Sequence, residues 1–171
     1  MGYKVGSIAI ATLSLAAVLI AANFCYGLIH ESAHAVAVKA LGGEVFALYV
    51  NPIGLDAYME HSPVAGTGYI ALELAGLCAT TVAAVIIAMA GKEAVPAFFA
   101  LRTTIYSMNY SPGTDMANLQ AALGSDAFLI SIVLVTVNAL ALAIALRGRY
   151  APLTGLFSSL WRGSPQRNSG E

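Results

Sequence analysis

Apolar residues fill this chain in long unbroken runs, and the interruptions carry most of the information. The first run begins near Val5 and continues without proline to Ala40 or Leu41, where Gly42-Gly43 stops it. At 1.5 Å per residue a helix over 5–41 exceeds ~50 Å, against the ~30 Å of hydrocarbon in a bilayer. Its second half collects Asn23, His30, Glu31, Ser32, His34 and Lys39. That half is therefore expected on the membrane face opposite the N-terminus, within reach of water. Residues 44–60 change character. Val45, Phe46, Tyr49 and Val50 favour strand, Asn51-Pro52-Ile53-Gly54 reads as a turn, and Leu55 to Met59 suits a second strand. Irregular backbone of this kind is tolerated at a membrane only when it is buried in protein or lines a wet cavity.

Three more apolar segments follow, over 66–90, 94–110 and 126–146, the middle one short and carrying Arg102. Pro112-Gly113 breaks the chain after it, and Thr114 is placed to cap a brief helix from Asp115 to about Leu123. Beyond 147, Leu153, Leu156, Phe157, Leu160 and Trp161 recur at helical spacing, which predicts an interfacial helix in the tail 148–171, with 164–171 disordered. The pattern as a whole predicts an α-helical polytopic membrane protein: about four transmembrane helices in a core over 1–147, with a short β-hairpin between the first and second. No internal repeat is visible.

Composition agrees. The 171 residues are 58% hydrophobic and only 10% charged, whereas soluble domains carry roughly a quarter charged residues. A net charge of −1 offers no basic surface for nucleic acid. The expected partner is the lipid bilayer, and the expected location is a multi-pass position in the cell membrane. Cys25 and Cys78 lie in separate apolar runs and read as small packed hydrophobes rather than a disulfide or metal pair. Lys4 before an apolar run mimics a signal peptide, but no breaker separates that run from His30, so it reads as an anchor. Small residues at many helix positions permit close packing within or between subunits, which leaves the oligomeric state open.

Within the first run, residues 30–34 read His30-Glu31-Ser32-Ala33-His34. A helix puts i and i+4 on one face, so both imidazoles can grip one tetrahedral Zn²⁺ while Glu31 lies beside the open coordination position. Ionisable side chains in or near hydrocarbon are costly, and three together point to function. A catalytic zinc takes a third protein ligand. Helix parity brings Asp115 back to the face that holds His30 and His34. Glu73, in the first third of the second span, satisfies the same parity, while Asp126 after Gly124-Ser125 looks like an N-terminal helix carboxylate. His61 reads as a solvated loop histidine. Glu73 and Arg102 read either as an intramembrane pair or as separate snorkelling groups.

Taken in order, three features resemble the site-2 protease family of intramembrane zinc metalloproteases, over nearly the whole chain. They are the HExxH near the end of a long helix, followed by Lys39-Ala40-Leu41-Gly42; the hairpin with Asn51-Pro52-Ile53-Gly54, leading into a helix entered through Leu74-Ala75-Gly76; and Asn109-Tyr110-Ser111-Pro112-Gly113-Thr114-Asp115. The resemblance implies that His30, His34 and Asp115 bind one Zn²⁺ per chain, that Glu31 is the general base, and that Asn109 lies near the substrate. Three departures stand out: Pro112 and Asp115 are closer together than is usual, Met116 replaces a glycine, and Ser32-Ala33 replaces a common Leu-Gly.

The expected function is hydrolysis of peptide bonds in or near transmembrane segments of membrane proteins. The substrate strand would pair with the hairpin at Val45, Tyr49 and Asn51. Two other classes share the motif: an integral-membrane peptidase with Glu73 as third ligand, acting on soluble or lipid-modified peptides, and a non-catalytic metal-binding scaffold. Lys4, Lys92, Arg147, Arg149, Arg162 and Arg167 fall on the face of the termini, so the positive-inside rule puts both termini in the cytoplasm and the motif outside. The family resemblance implies the opposite, with zinc nearer the cytoplasm.

Overall fold

The structure, a computed structural model, describes residues 2–161 apart from 52, 54, 55 and 91–93, with side chains described over 6–147. Helix α1 (Gly2–Ala40) runs 39 residues because no proline interrupts its hydrogen-bond ladder. It ends where Gly42 takes φ +79°. The Gly42 N–H bonds to Lys39 O at 3.1 Å and the Gly43 N–H to Val38 O at 2.8 Å, the paired closure that a left-handed glycine allows at a helix C-terminus.

Strands β1 (Val45–Val50) and β2 (Ala57–His61) then form an antiparallel hairpin with Tyr49 opposite Tyr58, Leu48 opposite Met59, and a register irregularity between Val45 and Ala47. The turn is wider than the sequence suggests. The Asn51 N–H bonds to Asp56 O at 2.8 Å, and Asn51 Oδ1 accepts the Ile53 N–H at 2.9 Å. The second strand therefore begins at Ala57; Pro52, Gly54 and Leu55 lie outside the described residues. Asn23 Nδ2 donates to Ile53 O at 2.8 Å, which pins the turn against α1 two helical turns before His30. At its other end the Glu44 N–H donates to Ser62 Oγ at 2.8 Å. The hairpin is thus fastened along the half of α1 that carries the motif.

Helices α2 (Thr67–Ala90), α3 (Ala94–Ser107), α4 (Asp115–Leu123) and α5 (Asp126–Trp161) complete the fold. Among the described residues three helices are long and apolar enough to cross a membrane, over Gly6–Ala40, Thr67–Ala90 and Asp126–Arg147. The expected fourth span over 94–110 is corrected: α3 has 14 residues, about 21 Å. It tightens at its end, with Met108 and Asn109 N–H groups bonding three residues back to Ile105 and Tyr106, and Pro112 then disfavours helical backbone at Ser111. Thr114 caps α4, its Oγ1 accepting the Ala117 N–H at 3.3 Å. The apolar segment expected over 126–146 is matched by Asp126–Arg147, and α5 continues as helix to Trp161. The side chains of Leu153, Leu156, Phe157, Leu160 and Trp161, and residues 164–171, lie outside the described set.

Two buried clusters mark the ends of the core. Ala22, Tyr26, Ala84, Ala88, Phe99, Ala100, Ala141 and Ala145 meet at one end; the alanines let α1, α2, α3 and α5 approach closely. Leu77, Met116, Leu119, Ala127 and Leu134 meet at the other. Between them Asn138 Nδ2 donates to Thr81 Oγ1 at 2.9 Å, and at the level of the second cluster Ser131 Oγ donates to Ser107 O. Cys25 and Cys78 are both exposed on the outer surface of their helices rather than packed inside, and both are free thiols.

Candidate metal centre

His30, Glu31 and His34 come from the second half of α1, where the helix turns one face towards α2. All three are buried. At closest approach the α2 residue is Gly76. A Cβ built there would lie 2.5 Å from His34 Nε2, 2.6 Å from His30 Cε1 and 2.7 Å from His30 Nδ1, so only glycine leaves room for both rings.

His34 Nδ1 lies 2.8 Å from Leu72 O. A carbonyl only accepts, so Nδ1 carries the proton and the Nε2 lone pair faces inwards, the usual device for orienting a metal-binding histidine. His30 stacks on Tyr26, four residues earlier on the same face, with ring centroids 6.1 Å apart.

The third group arrives from α4. Asp115 is its first residue, and its Oδ2 lies 3.0 Å from His30 Nε2 and 3.4 Å from His34 Nε2. The two Nε2 atoms are 3.2 Å apart. Asp115 Oδ2 and His30 Nδ1 are both buried without a well-aligned hydrogen bond. Burial pushes the Asp115 carboxyl up, but the polar contacts with His30 and His34 outweigh it and hold it well below the usual carboxylate range. Two imidazole nitrogens and one carboxylate oxygen thus stand within 3.4 Å of one another. Among the described residues His30, His34 and Asp115 form the one group placed to hold a metal ion.

Beside this group lies a cavity of about 290 Å³ lined by Glu31, His30, His34, Asp115 and Asp56. One wall is β2, through Ala57, Tyr58, Met59 and His61. The opposite wall is Tyr26, Arg102 and Tyr106. The Arg102 guanidinium carbon lies 4.4 Å from the centre of the Tyr26 ring and 5.2 Å from that of Tyr106, and Nη2 donates to the Tyr106 hydroxyl at 3.2 Å.

Several residues singled out from the sequence lie elsewhere. Val45, Tyr49 and Asn51 belong to β1 and its turn, away from the cavity, which is walled by the other strand. Tyr49 pairs instead with Tyr58, ring centroids 5.3 Å apart. Asn109 does not line the cavity either. Its Oδ1 accepts the Ser111 N–H at 3.1 Å and its carbonyl accepts from Thr114 Oγ1 at 2.8 Å, so it shapes the turn that delivers Asp115. Glu73 is buried and lines the cavity outside the ligand group, accepting from Asn118 Nδ2 at 3.1 Å. His61, expected in solvent, is half-buried in the β2 wall with Nδ1 2.7 Å from Ser62 O.

Sequence reasoning missed Gly76, Tyr26 and Tyr106 as parts of the site. Each had a signal. A lone glycine inside an apolar helix marks close packing, Tyr26 precedes His30 by the same four residues that separate His30 from His34, and Tyr106 follows Arg102 by four. No family model, no curated protein and no solved structure matches this chain.

Proposed function

We propose that this chain is an integral membrane zinc metalloprotease that hydrolyses peptide bonds in or near the transmembrane segments of other membrane proteins. The observation that carries the reading is the spacing of the three ligand atoms, 3.0, 3.2 and 3.4 Å. Ligands about 2.0–2.1 Å from a tetrahedral zinc stand about 3.3 Å apart along each edge. Two neutral imidazole nitrogens and an anionic oxygen suit zinc chemically, and three protein ligands leave a fourth position open, as catalytic sites do. Without a metal, an added proton on one imidazole would have to relieve the facing lone pairs and carboxylate in this buried site.

Bound zinc supplies a water whose pKa is lowered to about 7 and a Lewis acid for the scissile carbonyl. The protein's own groups do the rest. Glu31, beside His30 and facing the cavity, takes the proton from the attacking water and delivers it to the leaving nitrogen. His34, locked by Leu72 O, and Asp115, held at the start of α4, keep the ligand geometry fixed. A peptide bond inside a helix is shielded by its own backbone hydrogen bonds, so the substrate enters unwound. The outer edge of β2 offers backbone donors and acceptors to such a strand, which moves the proposed docking strand from β1 to β2.

The test uses the full chain, purified in detergent or bilayer discs. One zinc per chain is expected, with cleavage of a single-span substrate that stops on chelation and returns with zinc. Asp115→Ala should lower zinc affinity by more than the roughly 10- to 100-fold that an outer-shell change costs. Stoichiometric zinc without cleavage of any single-span substrate would make the protein a metal-binding scaffold. Cleavage indifferent to chelation would sink the zinc mechanism outright.

A further inference from the structure

The least secured of the three ligands is Asp115. It follows an irregular stretch over 108–114 and sits at the first residue of a nine-residue helix, so its place depends on how α4 is held. On the apolar side Met116 and Leu119, both fully buried, pack with Leu77, Ala127 and Leu134. Such contacts are non-directional and permit small rotations of a short helix. On the polar side stands one directed bond to α2. Asn118, one turn along α4 from Asp115, donates from Nδ2 to Glu73 Oε2 at 3.1 Å. Glu73 is only 7% exposed. A buried carboxylate without a role in the ligand group is costly enough to require a reason.

The neighbours of Glu73 supply one. Leu72, the residue before it, accepts from His34 Nδ1. Gly76, one turn after it, makes room for His30 and His34. One turn of α2 therefore governs all three ligands: it orients one imidazole, admits both, and reaches the carboxylate through Asn118.

The geometry points to Glu73 as a positioning residue that fixes α4, and with it Asp115, on the metal through the Glu73–Asn118 bond. This rests on the zinc reading and adds a role that the motif residues do not have. A positioning contact needs only an acceptor at position 73, whereas a ligand needs the anion. Zinc affinity of the purified full chain, measured by competition with a fluorescent chelator, separates the two without reference to proteolysis. Glu73→Ala and Asn118→Ala should each weaken zinc binding about 10- to 100-fold. The double variant should be no weaker than the worse single, because both remove the same bond. Glu73→Gln, whose amide oxygen still accepts from Asn118, should bind nearly as tightly as the parent. Glu73→Gln as weak as Glu73→Ala, with Asn118→Ala unaffected, would make Glu73 a ligand and overturn the inference. Parental affinity in all the variants would overturn it too. A parent chain that binds no zinc would overturn the metal reading itself, and this inference with it.

Discussion

Glu31→Gln should still take up zinc but cleave its substrate roughly 10²- to 10⁴-fold more slowly, the range that a positioned general base contributes. In barrier terms this is about 2.7–5.5 kcal/mol. Glutamine has nearly the same shape as glutamate, so the packing of a side chain only 8% exposed is preserved. What it loses is the capacity to take a proton. Glu31 lies outside the group formed by His30, His34 and Asp115, so its neutralisation removes no ligand. Metal content and single-turnover cleavage, measured on the same preparation, check the result. Zinc lost in step with rate would show that Glu31 holds the centre together rather than moving protons.

Gly76→Ala should remove metal binding and, by overpacking a buried site, also destabilise the metal-free fold by about 1–3 kcal/mol. The added methyl would stand 2.5–2.7 Å from atoms of both imidazoles, inside any real carbon contact. Neither ring can yield and keep its place. His34 is tied to Leu72 O, and His30 is stacked between Tyr26 and the cavity. The ligand spacing, set to a few tenths of an ångström, is therefore lost. Helix propensity works in the opposite direction: alanine in place of an interior glycine favours a helix by about 0.5–1 kcal/mol. Thermal unfolding with and without zinc reads both effects. The parent should be stabilised by zinc through its binding to the folded state, and the variant should show no such shift. A variant with parental zinc affinity would mean that the rings do not crowd Gly76 in the working protein.

Local pattern made some of this site legible before the fold was known. His30, Glu31 and His34 share one helical face by spacing alone. Thr114 ahead of Asp115 reads as a helix start, and α4 spans Asp115–Leu123 with Thr114 as its cap. What periodicity cannot supply is the distance between elements. Residues 94–110 are apolar enough to suggest a span, yet α3 stops at Ser107 because the backbone tightens before Pro112. Either strand of the hairpin had an edge to offer. Only the docking of Asn23 on Ile53 O and the packing against α1 decide that β2 walls the cavity. Asn109 and Glu73 exchanged prominence for a similar reason. Their hydrogen-bond partners, in the turn before Asp115 and on α4, are not visible from their own neighbours in sequence.

The unequal lengths of the helices set a vertical scale. Ala22 of α1, Ala88 of α2 and Ala145 of α5 meet in one cluster, yet α1 starts at Gly2 and α5 ends at Trp161. Both therefore run on past the core, away from the His30–His34–Asp115 group, by about 30 and 24 Å. Over 6–18 every side chain of α1 is exposed, although the segment is apolar. In a bilayer this apolar length would have to be matched by tilt, thickness or contact with another helix. The prolonged ends would then act as a depth gauge: adding or removing a turn there would raise or lower that group relative to the lipid headgroups, and so change how wet the cavity is, without altering any residue that touches it.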